Sequence, residues 1–342
     1  MVARNVNLKA ARKAKKDEFY TQLSDIENEL RHYTDHFRGK VIYCNCDDPR
    51  VSNFFHYFAY NFRVLGLKKL ITTCYQNQQL DLFSQHDAER AIWLEYDGTQ
   101  NETGIPSVED IGIHYLEGDG DFRSAECIAL LKQADIVVTN PPFSLFREYV
   151  AQLMEYDKKF LIIGNKNAIT YKELFPLIKD NRLWVGNTPM SKDLLFDVPK
   201  DYAQELLDTK KEGSSYRVVD GVVKGRSQSI WFTNLDHKKR HEELILYKRY
   251  SPAEYPKYDN YDAINVDKTV EIPKDYDGAM GVPISFLDKH NPEQFEIISA
   301  NDLRLNDRVP FKKHSLIKDK EGSIDGKPKY VRIVIRNKRL QT

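Results

Sequence analysis

The sequence lacks the features that would place it in or across a membrane. No segment approaches the roughly 18 consecutive apolar residues that a membrane-spanning helix needs. The first residues are basic and polar, where a signal peptide would have an apolar stretch. We therefore expect a soluble, cytoplasmic protein with no membrane partner. Its 342 residues are 41% hydrophobic and 30% charged, a globular balance in a chain long enough for two domains.

Cysteine is scarce, which bears on metal and redox chemistry. There are four, at positions 44, 46, 74 and 127. Cys44 and Cys46 form a Cys-x-Cys pair, which lacks the two-residue spacer of a typical zinc site, and no second pair supports them. We expect reduced thiols in an intracellular protein and no metal site.

A surplus of either charge is also missing, because 51 basic residues balance 51 acidic ones. Composition alone therefore does not indicate a nucleic-acid-binding protein. The ends of the chain differ from its middle. Residues 1–16 contain six basic and no acidic residues, and residues 305–342 contain eleven basic and four acidic ones. Such ends are either solvated tails or contacts to a phosphate backbone.

Predicted strands and helices alternate through the first two thirds of the chain. The strands are predicted at residues 41–43, 69–73, 111–116, 134–139, 160–164 and 229–233. The helices are predicted at residues 25–37, after Pro49, and at 124–133, 144–156 and 172–179. Residues 75–110 have the pattern of an insertion with a strand-like run at 91–96, and residues 186–228 that of a long loop or lid. The alternation predicts a doubly wound α/β sheet, and a domain boundary near 235–250 with short strands beyond it, one at 330–336.

Three polar segments directly follow predicted strands: residues 45–48, 118–121 and 140–143. In a doubly wound sheet, ligands bind beyond the carboxyl ends of the strands. We therefore expect these three segments to converge on one rim of the sheet and to form the functional site.

The segment Asn140-Pro141-Pro142-Phe143 indicates a specific chemistry. A strand-ending turn is the structural alternative, because Asn and Pro both favour turns. The N6 amine of adenine is a poor nucleophile, since its lone pair is delocalised into the ring. Acceptors on the Asn140 side chain and the Pro141 carbonyl could hold its two N–H groups, and consecutive prolines would fix the carbonyl direction. Phe143 could stack on the base, which must first be flipped out of the duplex.

With these residues in view, the sequence resembles the EcoRI-type family of adenine-specific DNA methyltransferases. The resemblance runs over nearly the whole chain and is carried by residues 17–21, 43–54, 118–124, 140–146, 163–169 and 283–287. It implies a Rossmann-like methyltransferase sheet in residues 1–240, with the insertion near 75–110, and a DNA target-recognition region in residues 241–342. It also implies S-adenosylmethionine as the cofactor, and duplex DNA as the substrate, in a bacterial or phage-infected cell. We expect a monomer.

The resemblance assigns roles to individual residues. The target adenine would be bound by Asn140, Pro141, Pro142 and Phe143. An N-terminal segment would contact the methionine end of the cofactor, through Phe19, Tyr20 and Thr21. The loop after the first strand would contact the cofactor through Asn45, Asp47 and Asp48, and an acid of this loop could pair with the cofactor's amino group. Asp121 would accept from the amine of the cofactor's adenine, and Phe122 would pack on its face.

The sequence departs from the general methyltransferase pattern at two points. The loop after the first strand has no glycine-rich turn, and the second strand lacks the acid that usually holds the ribose. Asp47 or Asp48 would take its place, or Thr73 and the backbone would hold the ribose. The two acids also suit an Asp-Asp-Pro turn that caps the next helix. Candidates for DNA contact are Lys166, Asn167, Lys312, Lys313, Arg332 and Arg336.

Two other functions fit parts of the sequence. The same tetrapeptide could serve a methyltransferase that acts on RNA or on a protein glutamine, because the chemical problem is the same. A DNA-binding protein that has lost catalysis would keep the fold but has no use for Asn140 and Phe143. The recognition sequence cannot be read from the chain, and family resemblance makes GAATTC the first to test.

Overall fold

The computed structural model describes residues 21–76, 90–99, 107–192, 194–198, 200–300 and 322–340. Phe19, Tyr20, Lys312 and Lys313, to which the sequence assigned ligand contacts, lie outside these ranges. The chain divides into two compact units. The first contains residues 1–166 and 192–235, and the second contains residues 167–191 and 236–342.

Nine α-helices are present in the described residues. In chain order they are α1 (Leu23–Leu30), α2 (Thr34–Phe37), α3 (Asn53–Tyr60), α4 (Phe62–Leu65), α5 (Val108–Ile111), α6 (Ala125–Gln133), α7 (Phe146–Glu155), α8 (Phe175–Lys179) and α9 (Lys200–Asp208). The 3-10 turns are Phe143–Leu145, Lys166–Thr170, Lys238–His241, Thr269–Glu271, Ile284–Lys289 and Lys338–Leu340.

The strands of the first unit are β1 (Val41–Cys44), β2 (Lys69–Thr73), β3 (Ile92–Tyr96), β4 (His114–Tyr115), β5 (Ile136–Thr139) and β6 (Lys159–Asn165). After β7 (Trp184–Val185) of the second unit come β8 (Leu194–Asp197), β9 (Tyr216–Val219), β10 (Val222–Ser227) and β11 (Ser229–Thr233). The second unit continues with β12 (Ile264–Asn265), β13 (Met280–Pro283), β14 (Phe295–Ala300), β15 (Ser323–Ile324), β16 (Lys327–Pro328) and β17 (Arg332–Asn337).

Seven strands of the first unit form one mixed sheet in the order β4-β3-β2-β1-β5-β6-β11. Its centre is parallel: β1 pairs with β2 and with β5, and β5 pairs with β6. Its edges are antiparallel, since β3 pairs with β2, and β11 with β6. Every residue of β1, β5 and β11 is buried, as expected for strands covered on both faces. The predicted α/β class is confirmed.

The chain runs from β1 to β2 on one side, and later returns to β5 on the other side of β1. The loops after β1 and β5 therefore flank the point at which the strand order reverses. This is the place where open α/β sheets bind their ligands, so the topology positions the residues described below.

The phenylalanine-rich helix after Pro49 was predicted correctly. The Ser52 side chain caps α3 by accepting a hydrogen bond from the backbone of Phe55. Phe54 and Phe58 are buried, and Phe54 meets Trp231 of β11 edge to face at 6.1 Å. The helix predicted at residues 25–37 is interrupted, because residues 31–33 separate α1 from α2.

Several predicted boundaries were wrong. The strand predicted at 111–116 is shorter, since α5 ends at Ile111 and only His114–Tyr115 pair with β3. The helix predicted at 144–156 begins with a 3-10 turn, and the one predicted at 172–179 is reduced to α8. Outside the residues that the structure leaves undescribed, the insertion near 75–110 contains β3 and α5.

The loop or lid predicted at 186–228 was wrong in a larger way. It contains α9 and an antiparallel sheet in the order β8-β10-β9. Asp220 and Gly221 form the two-residue turn between β9 and β10, both at positive φ (49° and 76°), as a tight hairpin requires. Basic residues and Gly225 interrupt the apolar pattern of these strands, so periodicity did not detect them.

The second unit has its own sheet, in the order β12-β13-β17-β14. Its core includes Phe286 and Phe295, which meet edge to face at 5.3 Å. The strand predicted at 330–336 is confirmed as β17. In the described ranges, no helix is both long and apolar enough to span a bilayer.

Candidate active site

The loop after β5 carries the predicted base-binding residues. The strand brings Thr139 to its carboxyl end, and Asn140 follows with only 9% of its surface exposed. Pro142 is extended (φ −55°, ψ 123°), and its carbonyl accepts a hydrogen bond from the Leu145 backbone at 3.0 Å. Phe143 is half-buried and packs against the core of the first unit. The prolines thus hold a short extended segment between a buried strand and α7.

The side-chain oxygen of Asn140 is the main anomaly of this loop. Oδ1 is fully buried, yet it has no hydrogen-bond partner among the residues that the structure describes. Buried polar atoms are nearly always satisfied, because leaving one without a partner costs about 1–3 kcal/mol. An acceptor in this state is able to take a hydrogen bond from a ligand that supplies the donor.

Asn45, in the loop after β1, ties this loop to the one after β5. Its carbonyl accepts a hydrogen bond from the Thr139 hydroxyl, directly before Asn140. Its side-chain Oδ1 accepts a hydrogen bond of 2.5 Å from the Tyr149 hydroxyl of α7. Burial raises the pKa of Tyr149 well above its ordinary value, so the hydroxyl stays a neutral donor. The two loops are therefore in direct contact, as expected for segments that follow neighbouring parallel strands.

The acids of this loop are held in a turn. The Asp48 carbonyl accepts from the backbone of Val51 and Ser52, and its carboxylate accepts from the Arg50 backbone at 2.9 Å. Burial raises the pKa of Asp48. Asp47 accepts a long bond of 3.5 Å from the Ser52 hydroxyl. Ser52 caps α3, so these acids shape the turn that precedes this helix. These contacts are compatible with a second role of the two acids in binding a ligand.

The third strand-end segment lies beside the second strand. Gln76, just beyond β2, donates its backbone N–H to the Asp119 carbonyl at 2.7 Å. Gly120 (φ 78°) passes so close to the Cys74 carbonyl that a side chain there would collide with it. This segment therefore needs glycine at that position.

Asp121 and Phe122 have partners within the first unit. Arg123 donates to both carboxylate oxygens of Asp121, at 2.9 and 2.7 Å, and this lowers the pKa of that carboxyl. Phe122 is buried and meets Tyr149 edge to face at 5.0 Å. Tyr149 therefore touches both the loop after β1 and the segment that contains Phe122.

The remaining cofactor candidates lie around the same sheet. Thr73 is buried, and its hydroxyl shares a hydrogen bond of 2.8 Å with that of Tyr43. Thr21 forms a bridge with Phe196 of β8, and its carbonyl accepts from the Asn53 side chain at 2.9 Å. The N-terminal segment therefore reaches the start of α3, next to the turn that contains Asp47 and Asp48.

The described candidates for DNA contact are spread over both units. Lys166 follows β6 in the first unit, and Asn167 is an exposed residue of the second. Arg332 Nη2 is paired with the Asp267 carboxylate at 3.3 Å. Arg336 lies on β17 opposite Glu296.

A cavity of about 310 Å³ lies on the first unit, and the sequence did not predict it. One lining residue is Asn165, the last residue of β6, which runs parallel to β5, the strand that precedes Asn140. Others come from the region misassigned as a loop and include Phe196, Tyr202 and Arg226. The segment 163–169, which carries part of the family resemblance, includes Asn165. The sequence pattern did not indicate which residues would line a cavity with Asn165.

Comparison with known proteins gives one consistent result. The family model described as adenine-specific methyltransferase EcoRI matches residues 7–338. The type II methyltransferase M.EcoRI of Escherichia coli is 51% identical, over 99% of this chain and 98% of its own. M.MpnI of Mycoplasma pneumoniae is 39% identical, over 96% and 97%. M.MgeORF184P of Mycoplasma genitalium is 38% identical, over 96% and 98%. No solved structure matches the chain.

Proposed function

We propose, from the premise that the chain belongs to the EcoRI family of adenine-specific methyltransferases, that it moves a methyl group from S-adenosylmethionine to N6 of an adenine flipped out of duplex DNA. Site-specific methylation of adenine in DNA is the activity of this family. The observation that carries the atomic assignment is the buried Oδ1 of Asn140, which has no donor among the described residues. An adenine amine is the donor that fits it.

The residues of the loop after β5 have different roles in binding the target base. Asn140 Oδ1 accepts from one N–H of the amine, and the Pro141 carbonyl accepts from the other. Together they favour a pyramidal nitrogen whose lone pair points away from the ring. Phe143 packs on the face of the base. Because the groups are fixed in advance by a buried strand and two prolines, little reorganisation is needed when the base arrives.

The cavity beside Asn165 is the pocket that we assign to the flipped adenine. Base flipping requires a pocket that shields the base from water and offers aromatic and polar walls. The cavity has both kinds of lining, in Phe196 and Tyr202 on one hand and Asn165 on the other. Asn165 ends β6, the strand that pairs in parallel with β5, and Asn140 directly follows β5. Its volume of about 310 Å³ exceeds that of a purine base.

The loops at the reversal of strand order suit S-adenosylmethionine, which supplies an electrophilic methyl group when it is bound. Asp47 or Asp48 would pair with its amino group, Thr21 would lie at its methionine end, and Phe122 would pack on its adenine. Asp121 keeps acceptor capacity beside Arg123. Thr73 is a weaker candidate for the ribose, because its hydroxyl is engaged by Tyr43. This arrangement is what a Rossmann-like, doubly wound methyltransferase sheet would offer.

Asn45 is the candidate whose assignment we change. Its side-chain oxygen accepts a hydrogen bond from Tyr149, and its backbone carbonyl accepts one from Thr139. We therefore propose that Asn45 positions the two loops and that the neighbouring acids hold the cofactor.

We also propose that residues 241–342 contribute to target recognition, as the family resemblance implies. The supporting observation is the basic C-terminal stretch, with eleven basic and four acidic residues in 305–342. An enzyme that methylates one strand at a time needs no two-fold symmetry, so we propose that it acts as a monomer.

The experiment is methyl transfer by the purified protein, followed by mass spectrometry of the digested nucleosides. Mixed-sequence duplex DNA is the first substrate, and a duplex with GAATTC is compared with a scrambled one. We expect N6-methyladenine from the wild type, and a loss of about 10²–10³-fold or more in kcat for Asn140→Ala, since a preorganised polar contact is removed.

RNA and a glutamine-containing peptide are the matched alternative substrates. Methylation of either in place of DNA would refute the proposal. DNA binding that is equal with and without S-adenosylmethionine, and without any methylated product, would favour a catalytically silent binder.

A further inference from the structure

We propose that the hairpin formed by β9 and β10 is a DNA-contacting ribbon, whose apolar tip enters the duplex and whose basic residues bind the flanking phosphates. This rests on the proposed function for its choice of partner. The hairpin is the region that sequence periodicity assigned to a loop, and the catalytic residues do not use it. It is defined here by residues 216–227.

The tip of the ribbon has no structural support from the rest of its sheet. Strand β8 pairs with β10 only from Lys224 to Ser227. Beyond Lys224, the ribbon continues as two strands alone, to the turn at Asp220 and Gly221. A two-stranded hairpin gains little stability by itself.

The projecting part is apolar, although it is exposed. Val218, Val219 and Val222 are 45%, 39% and 54% exposed. Single exposed apolar residues are common on protein surfaces, but these three lie within five positions of the chain, around one turn. The turn between them needs positive φ at both central positions. The valines are therefore carried on a tightly defined turn.

The register places apolar and basic residues on one face of the ribbon. Val219 pairs with Val222, and Arg217 pairs with Lys224, two positions behind. Residues two apart on a strand share a face, so the tip valines have this basic pair directly behind them. Arg226 follows on the same face of β10. The ribbon 216–227 thus holds three basic residues and one acid, Asp220.

Two like charges directly opposite each other weaken a hairpin. Arg217 and Lys224 are such a pair in the register of β9 and β10. The face therefore carries a net positive charge next to the apolar tip. Proteins that wedge apolar side chains between base steps use this combination, with basic residues on the adjoining phosphates. Two-stranded ribbons also fit a DNA groove.

The root of the ribbon lies at the functional rim. Gln228, just after β10, accepts a hydrogen bond of 2.7 Å from the backbone of Lys166. Ser229 then pairs with Asn165, at the end of β6. Arg226, at the root, lines the cavity that we assign to the flipped base. A ribbon anchored here can reach the DNA that delivers its adenine to this cavity.

The test uses the full-length protein and a duplex containing GAATTC, or the sequence found to be methylated. The variant V219S/V222S removes the apolar tip and keeps the turn and the basic residues. Val64→Ser is the matched control, because Val64 is 78% exposed on α4, away from the ribbon. Affinity is measured by fluorescence anisotropy, and base extrusion by the fluorescence of 2-aminopurine placed at each adenine in turn.

We expect V219S/V222S to weaken binding about tenfold or more, since two valines lose an apolar contact, and to reduce the 2-aminopurine signal. A mismatch opposite the target should restore much of the signal, because an unpaired base is easier to extrude. A mere folding defect would not respond to the mismatch. Arg217→Gln should lower the slope of log K against log salt by about one.

The proposal would be overturned if V219S/V222S had the DNA affinity and the 2-aminopurine signal of the wild type. It would also be overturned if the variant's defect were equally large on matched and mismatched duplexes. A wild-type dimer that V219S/V222S converts to a monomer would overturn it in favour of a second copy of the chain. Binding and 2-aminopurine readouts need no methyl transfer. Failure of the proposed reaction is therefore seen separately, as wild-type protein that yields no N6-methyladenine.

Discussion

The Tyr149 hydroxyl donates a hydrogen bond of 2.5 Å to Oδ1 of Asn45, and both side chains are buried. Tyr149 lies one helical turn into α7, the helix that follows the loop of residues 140–143, whereas Asn45 lies in the loop after β1. The hydroxyl of Thr139, the residue before Asn140, donates a hydrogen bond to the backbone carbonyl of Asn45. One asparagine thus fixes the spacing between the loop that we assign to the cofactor and the loop that we assign to the target base.

Tyr149→Phe should uncouple these loops. The change leaves the buried Asn45 Oδ1 with only the weak thiol donor of Cys46, at 3.5 Å, which costs about 1–3 kcal/mol in the free energy of unfolding. Because the loop after β1 is then held less firmly, we expect KM for S-adenosylmethionine to rise about tenfold, or about 1.4 kcal/mol. Urea unfolding and steady-state kinetics measure the two effects.

Tyr33→Phe is the matched control for that variant. It also removes a buried tyrosine hydrogen bond, of 2.8 Å to Glu29, but on the segment between α1 and α2. It should lower stability and leave KM for the cofactor unchanged. If both variants raised KM equally, the Tyr149 bond would have no special part in positioning the loops.

Asn140→Ala should separate stability from activity. Its Oδ1 has no partner among the described residues, so removing it relieves a buried unsatisfied atom. We expect the free energy of unfolding to stay within about 1 kcal/mol of wild type, while methylation is lost.

Asn45→Ala is the counterpart, since its oxygen is satisfied by Tyr149. It should destabilise the protein by about 1–3 kcal/mol. Equal destabilisation by both asparagine variants, in urea unfolding, would show that Asn140 has a partner in the free protein.

Most strands of the central sheet could be predicted because they are short, continuous and mainly apolar, unlike the exposed β4. Strand β2 was predicted with its observed ends, residues 69–73, and β11 with residues 229–233. The order of strand and helix then implied which loops meet, and the contact of Asn45 with Thr139 agrees with this. The chemical roles of the loop residues stay predictions.

The rest depended on contacts that no local pattern reveals. The sheet β8-β10-β9 is partly exposed, with basic residues at alternate positions, so it has the composition of a loop. Tyr149 looked like any aromatic on an amphipathic helix, and only the fold brings its hydroxyl to Asn45. Arg332 looked available for phosphate, yet it pairs with Asp267, which lies 65 residues away in the sequence.

Cys46 occupies a backbone conformation that favours glycine, with φ of 84°. It lies in the loop after β1, where the general methyltransferase pattern has a glycine-rich turn. A non-glycine residue in the left-handed region costs about 1–2 kcal/mol, and glycine costs about 0.5–1 kcal/mol through its freedom in the unfolded chain. We expect Cys46→Gly to raise stability by up to about 1 kcal/mol, measured as Tm, with methylation retained.

Cys46→Ala separates the thiol from the backbone. Alanine keeps the strained conformation, so this variant should show no gain in Tm. A lower Tm for Cys46→Gly than for Cys46→Ala would mean that the conformation at this position carries no strain to relieve.

Two buried histidines of the second unit should make its stability depend on pH. Burial, aided by the nearby Arg240, lowers the pKa of His237 and of His290 to about 4. Each ring binds a backbone carbonyl through Nε2 at 3.1 Å, Val185 for His237 and Phe295 for His290. Both are therefore neutral in the folded protein at neutral pH.

The unfolded chain binds more protons than the folded one between pH 6.5 and about 4, because an unfolded histidine has a pKa near 6.5. The contribution of the two histidines to the free energy of unfolding is thus fully present above pH 6.5 and is lost as the pH falls toward 4. By pH 5 the loss should be roughly 2 kcal/mol for each histidine. Urea unfolding at pH 7.5 and 5 measures it, and the variant H237Q/H290Q should flatten the difference. His114→Gln, at an exposed position of the first unit, controls for the loss of a histidine as such; an unchanged difference in H237Q/H290Q would assign the acid sensitivity to other groups.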